Sequence, residues 1–302
     1  MLELNATKKT LFALGVGAFG KMSELIKNTD YLPQKPTYLF KLLRMAYSVD
    51  VKSNDMAQEL TKDKETVAQV LNIPSLKDNY NNIEQEDIIN AISNLERSFI
   101  QSSLEVDFAK KYHNVLVARL RNEAQIAKLS LALKSAVIAK SIARWVNYQD
   151  AELAFFAALL SDVPAQVLSI NDPEGQEKID EKISRGMSEK EAEIIVRGFD
   201  HAEFGAKLFK YYSMPSPVVD LIQNDFKVAR MKSKNEQLAK IVNFSKFLAK
   251  CFSDKTQTPS SIWLESQKSI SSLGLNLSTE EWGNKISLMF VKAIEFEMSV
   301  TA

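Results

Sequence analysis

Apolar residues recur at helical spacing along most of the chain. In residues 37–48, Leu39, Leu42, Leu43 and Ala46 share one face, behind Pro33 and Pro36, which fit just before or at a helix start. Residues 53–70 read as two short helices. Met56, Ala57 and Leu60 mark the first, Val67, Val70 and Leu71 the second, and Pro74 stops it. Residues 83–95 carry Ile88, Ile89, Ala91, Ile92 and Leu95 on one side. From Ile126, the positions Leu129, Leu133, Val137, Ile142 and Val146 predict a long amphipathic helix. Asp150 then suits an N-cap, and the helix after it, Ala151 to Leu160, is apolar nearly all round apart from Glu152. Such a helix, too short for a bilayer, belongs in a core.

The second half follows the same rule. After a charged, solvated stretch, Ser188 with Glu191 and Asp200 with Glu203 form capping-box pairs. The second pair puts His201 in the first turn of a helix carrying Phe204, Leu208 and Phe209. Val218, Leu221, Ile222 and Phe226 start another after the break at Met214-Pro215-Ser216-Pro217. Ser278 and Glu281 box a last helix around Trp282, Ile286, Phe290 and Ile294, and the polar stretch Ser253 to Ser261 is the expected hinge. No alternating strand pattern of useful length occurs, so the expected fold class is all-α.

Composition narrows the function classes. The chain is 45% hydrophobic and 25% charged, with only 9 Gly and 8 Pro, as an ordinary globular helical protein would be. Lys plus Arg and Asp plus Glu both number 38. With no basic stripe beyond pairs such as Lys8-Lys9 and Lys110-Lys111, a nucleic-acid partner is not expected. The single Cys251 rules out an intramolecular disulfide framework and fits a reducing cytoplasm. Leu11 to Gly20 is short and apolar, but Glu3 spoils a positive leader and Lys21 and Glu24 continue a helix. It reads as an N-terminal amphipathic helix over residues 1–24, packed on the body or on a partner. No membrane span is expected.

Asp162 needs a physical explanation. A carboxylate at the C-terminal end of a buried helix faces the negative end of the dipole. It either caps the next helix, with Pro164 starting it, or it has a cationic partner.

The order of these pieces resembles the HDOD family, bacterial output domains related to HD phosphohydrolases. Leu32-Pro33 ahead of the first helix resembles the family's opening. The stretch from Ala151 to Asp162 is similar to its ExAFxAGLLHD segment. Gly198-Phe199-Asp200-His201-Ala202-Glu203-Phe204-Gly205-Ala206-Lys207-Leu208 is similar to its GxDHAExGAxLL segment, with Met214-Pro215 for the Leu-Pro that follows. The similarity covers roughly residues 25–230 and implies a multi-helix HD-like bundle. Residues 231–302 would then be a C-terminal helical extension.

HD enzymes hold one or two metals with a His, a His-Asp pair and a further Asp. Here Lys134 stands in place of the first His, Ser161-Asp162 in place of His-Asp, and Asp225-Phe226 where many members have a His pair. Only Asp162, His201 and Asp225 could still ligate, and a protonated Lys134 cannot. The resemblance therefore implies a vestigial pocket of Lys134, Asp162, His201 and Asp225, with no catalytic residue, no metal and no cofactor. Within it, Lys134 either pairs with Asp162 in place of the lost metal's charge, or reaches solvent along its alkyl stem. His201 is expected to bond a nearby carboxylate, and His113 to be a surface residue. The function implied is non-catalytic signal transduction or regulation in a bacterial cytoplasm, through contact with a protein partner. A residual metal-dependent phosphohydrolase, or a small-molecule or nucleotide sensor without turnover, are the alternatives.

Overall fold

The computed structural model describes residues 18, 20–33, 36–231, 233–254 and 256–302, so most of the Leu11 to Gly20 run lies outside the described residues. Residues 20–27 form α1. Then follow α2 (Pro36–Tyr47), α3 (Ser53–Leu60), α4 (Lys64–Val70), α5 (Leu76–Asn79), α6 (Gln85–Ser93), α7 (Arg97–Val117) and α8 (Glu123–Trp145). Next come α9 (Ala151–Leu159), α10 (Val163–Asn171), α11 (Pro173–Ser184), α12 (Glu189–Arg197), α13 (His201–Tyr211) and α14 (Ser216–Gln223). The chain ends with α15 (Ser233–Ser253), α16 (Pro259–Ser272) and α17 (Thr279–Thr301). Single 3-10 turns lie at Tyr80–Asn82 and Val228–Arg230, and no strand occurs among the described residues. The all-α expectation holds. The stretch before Ser188, expected to be a solvated segment, contains α11, whose inward side supplies only Gly175 and Ile179 to the interior.

The core is built around α8 and α9. Leu129, Leu133, Ala136, Ile142 and Ala143 on α8 are buried, and every residue of α9 is buried except Glu152. Asp150 caps α9 as its position predicts, accepting the Leu153 amide at 3.0 Å. The apolar run is longer than the pattern alone suggested. Within Ala151–Asn171, 18 consecutive residues have a mean hydropathy of 1.7, enough by composition to cross a membrane. The segment is instead two helices, α9 and α10, broken at residues 160–162, and 78% of those 18 residues are buried inside the protein. An apolar run enclosed by other helices has already removed its surface from water, which is the demand that a bilayer would otherwise meet.

Aromatic side chains join distant parts of the chain in this core. Phe156 of α9 meets Phe40 of α2 at 5.0 Å and Phe108 of α7 at 4.3 Å, both edge-on. Phe155 meets Phe296 of α17 at 5.6 Å. Residues from α2 to α17 thus share one continuous apolar cluster. Edge-to-face pairs of this kind add roughly 0.5–1.5 kcal/mol each beyond area burial. A buried ionic group crosses the same interior, where Lys140 of α8 bonds both Glu105 of α7 and Tyr47 of α2. Lys140 and Glu105 are 9% and 8% exposed.

Two glycines set the geometry around α13. Gly198 ends α12 in the left-handed region (φ 84°), and an added Cβ there would lie 2.8 Å from Ala18 Cβ. Gly205 has a right-handed conformation, but its missing side chain lets α13 touch α10 and α14. A Cβ there would lie 2.5 Å from Pro164 Cγ and 2.6 Å from Ile222 Cγ2.

Candidate functional site

The site forms where the break between α9 and α10 faces the start of α13 and the end of α14. Local sequence places each group. Gly198 stops α12, the buried Phe199 turns the chain inward, and Asp200 caps α13 by accepting the Glu203 amide at 2.7 Å. His201 is therefore the first residue of α13, as the capping pattern predicts. Much of the GxDHAExGAxLL-like segment is thus explained by helix stop, cap and close approach.

His201 is held on both ring nitrogens. Nδ1 lies 2.7 Å from Glu193 Oε2, which also accepts the His201 backbone N–H at 3.0 Å. Nε2 faces Asp225 Oδ1 at 3.6 Å. Burial alone would push the imidazole pKa down. The bonds to Asp225 and Glu193 outweigh it and raise the value to about 10. A value so raised favours the imidazolium at neutral pH, which donates Nδ1–H to Glu193, turns Nε2–H toward Asp225 and has no lone pair for a metal. The His201 bond, followed by Lys227 Nζ at 2.9 Å, holds Asp225 well below the usual carboxylate range. Asp225 and Phe226 occupy the left-handed region in succession (φ 51° and 53°), which costs bulky residues most. That turn directs the Asp225 carboxylate back to His201.

Asp162 begins α10 without making a side-chain cap. Its carboxylate takes the other course open to it, a cationic partner. That partner is Lys246 of α15, with Nζ 2.9 Å from Oδ1. Lys246 Nζ also lies 5.4 Å from the Phe226 ring centroid.

Lys134 is the correction. It does not pair with Asp162, nor does it line the cavity beside Asp162 and His201. Its Nζ lies 3.1 Å from Glu297 Oε2 of α17, and Ser130 bonds the other Glu297 oxygen. The reason is geometric. Helix α17 packs along α8 on the side that Lys134 faces, while α15 brings Lys246 to Asp162. His113 lies on α7, half-buried, with Nδ1 3.2 Å from Asn114 Oδ1.

Asp162 and His201 open onto a cavity of about 410 Å3, whose lining includes Asn122, Gln125, Lys128, Gln166 and Glu193. A smaller space of about 280 Å3, bounded by Leu131, Ser135, Lys246 and Phe247, meets Asp162 from the other side. Among the described residues, no three His, Cys, Asp or Glu side chains are grouped to hold a metal ion. Sequence reasoning missed Glu193, Lys246 and Gln166. Glu193 could have been suspected only as a carboxylate one helix before His201. Lys246 and Gln166 carry no local signal.

A second ionic cluster ties α1 to this region. Arg197, whose side chain is fully buried, reaches Asp172 Oδ2 at 2.9 Å, and Lys21 of α1 reaches the same oxygen at 3.2 Å. Asn171 donates to the Leu25 and Asn28 carbonyls, so residues 20–28 pack on the body of the protein.

The all-helical bundle brings an Asp at a helix break and a His at the start of a later helix to one cavity, in line with the fold that the resemblance implied. Within it, residues 112–227 match the model of the HDOD domain, and the protein carries an HDOD domain there. The matched stretch runs from the end of α7 to the turn holding Asp225, so Lys246 and Glu297 lie beyond it.

Solved structures of similar fold span nearly the whole chain. One, from Shewanella amazonensis SB2B and described as a candidate phosphohydrolase, is 16% identical with a TM-score of 0.61. It covers 93% of this chain and 98% of its own. An HDOD domain protein of unknown function from Geobacter sulfurreducens is 17% identical with a TM-score of 0.60, covering 93% and 96%. A Marinobacter aquaeolei VT8 protein described as a candidate signal transduction protein is 15% identical with a TM-score of 0.58, covering 95% and 64%. At these identities the likeness is one of fold. No curated protein matches the chain.

Proposed function

We propose that the protein is a non-catalytic signal-transduction or regulatory protein, acting through protein–protein contacts on its HDOD scaffold in a bacterial cytoplasm. The observation that carries this reading is the state of the groups that could serve a metal. Asp162 is neutralised by Lys246, and His201 is an imidazolium between Glu193 and Asp225. Metal-activated water needs neutral imidazoles and free carboxylates facing one point. Here protein cations occupy those roles and fix α10, α13, α14 and α15 to one another. The partner is a signalling protein whose identity the chemistry does not name.

A residual metal-dependent phosphohydrolase using Asp162, His201 and Asp225 is the second reading, favoured by the fold shared with the Shewanella protein. The two separate on metal content, measured by elemental mass spectrometry on protein purified without chelators or a His tag. Trace metal is expected. Near-stoichiometric iron, manganese or zinc would overturn the proposal.

A further inference from the structure

The cavity beside Asp162 contains one buried polar side chain whose terminal atoms the fold leaves unused. Gln166, one turn into α10, is 3% exposed, and neither its Oε1 nor its Nε2 has a hydrogen-bond partner. The neighbouring amides are committed. Gln125 donates to Ser169 Oγ at 3.0 Å and accepts the Arg121 amide at 2.9 Å. Gln176 donates to Asp180 at 2.8 Å and accepts from Arg197 at 3.1 Å. Buried amides left unpaired are uncommon because each lost bond costs desolvation with no return, so the exception asks for a partner.

The lining restricts what that partner is. Asp162, Asp180, Glu189 and Glu193 face the cavity against Lys128 and the His201 imidazolium, so a phosphate would meet more negative charge than positive. No Phe, Tyr or Trp lines the cavity, and its one ring, His201, is tied at Nδ1 to Glu193 with Nε2 toward Asp225, so a nucleobase would find little stacking surface. A pair of neighbouring hydroxyls fits. Each hydroxyl both donates and accepts, so one can donate to Gln166 Oε1 while the next accepts from Nε2. Further hydroxyls, or an ammonium group, can donate to the carboxylates at the rim. The volume of about 410 Å3 lies within the range of small-molecule sites, roughly 300–1,000 Å3.

We infer that this cavity binds a small polyhydroxylated molecule, neutral or amine-bearing and of monosaccharide size, with Gln166 as its central hydrogen-bonding group. The inference rests on the proposed function only in taking the cavity to be free of metal. Elemental analysis tests that premise separately from sugar binding.

The test is calorimetric titration of the full chain with D-glucose and D-glucosamine, with adenosine and inorganic phosphate as contrasts. Saturable binding of at least one of the two sugars, and of neither contrast compound, is expected. Gln166→Leu removes the unpaired amide, so it should fold at least as stably as the parent and bind the sugar about tenfold more weakly or worse. Glu189→Gln, on the exposed rim, should weaken glucosamine more than glucose. Three results would each overturn the inference: no saturable binding of either sugar, sugar binding unchanged in a folded Gln166→Leu protein, or binding of adenosine or phosphate in their place.

Discussion

Raising the pH should unlatch α12 and α14 from the start of α13, because the His201 imidazolium joins them. Charge-assisted hydrogen bonds contribute about 1.5–3 kcal/mol each, so two could give up to about 6 kcal/mol. The Asp225 side is long at 3.6 Å with its carboxylate 35% exposed, and burial of the ring opposes its charge. The net is about 2–4 kcal/mol after that discount. The sign follows from the direction of the shift. The folded pKa of about 10 lies above the ordinary value of 6.5, so the stabilisation is complete below pH 6.5. It is lost progressively as pH rises through 10. Asp225 behaves oppositely, because its pKa is depressed. Its contribution is present above the ordinary carboxylate range and fades as pH falls through the lowered value.

The assay compares urea unfolding of the parent and His201→Gln at pH 6.5 and 10.5, which cancels the titration of other groups. The difference should be about 2–4 kcal/mol at pH 6.5 and much smaller at pH 10.5. The chain has two histidines, so 15N imidazole spectra contain two ring signals, and His113→Gln assigns them. A His201 ring that titrates near pH 6.5 in the folded protein, with an unfolding difference equal at both pH values, would refute the reasoning.

Other perturbations separate the ionic groups by burial. Lys140→Ala leaves Glu105 buried without its cation and should destabilise by about 3–5 kcal/mol in urea unfolding, whereas Lys140→Met with Glu105→Leu should restore parental stability or exceed it. Lys246→Ala breaks a pair whose side chains are 35% and 32% exposed, so its cost should be near 1 kcal/mol, read from the same unfolding curves. Gly205→Ala would drive a methyl into Pro164 and Ile222 and should lower stability by about 1–3 kcal/mol, whereas a melting temperature equal to the parent's would contradict the close approach of α13 to α10.

What could be read in the chain was local. Helical periodicity located α2, α3, α4, α6, α8, α9, α13 and α14, because side chains three and four residues apart share a face whatever lies opposite. The pairing Asp200 with Glu203 gave the cap that puts His201 at the first position of α13, and Ser278 with Glu281 gave the start of α17. The expectation that His201 bonds a carboxylate also held, since Glu193 reaches it from the preceding helix. The α11 segment was missed because Gly175 and Ile179 alone face inward, too few apolar positions to show a period.

By itself the sequence determined most of the helices, several of their caps and the choice at Asp162 between capping α10 and pairing with a cation, since an unpaired carboxylate at the end of a buried helix is costly in any fold. It could not determine which cation. Lys134 and Lys246 both lie on helices beside the core, and each lysine stem can reach in several directions. The choice was made by packing. Helix α17 covers the side of α8 that carries Lys134 and supplies Glu297, while α15 brings Lys246, 84 residues away in sequence, to Asp162. Gln166 shows the same division. Whether its amide would find a partner depended on five helices, α8, α10, α11, α12 and α13, meeting around one cavity, a relation that no local pattern encodes.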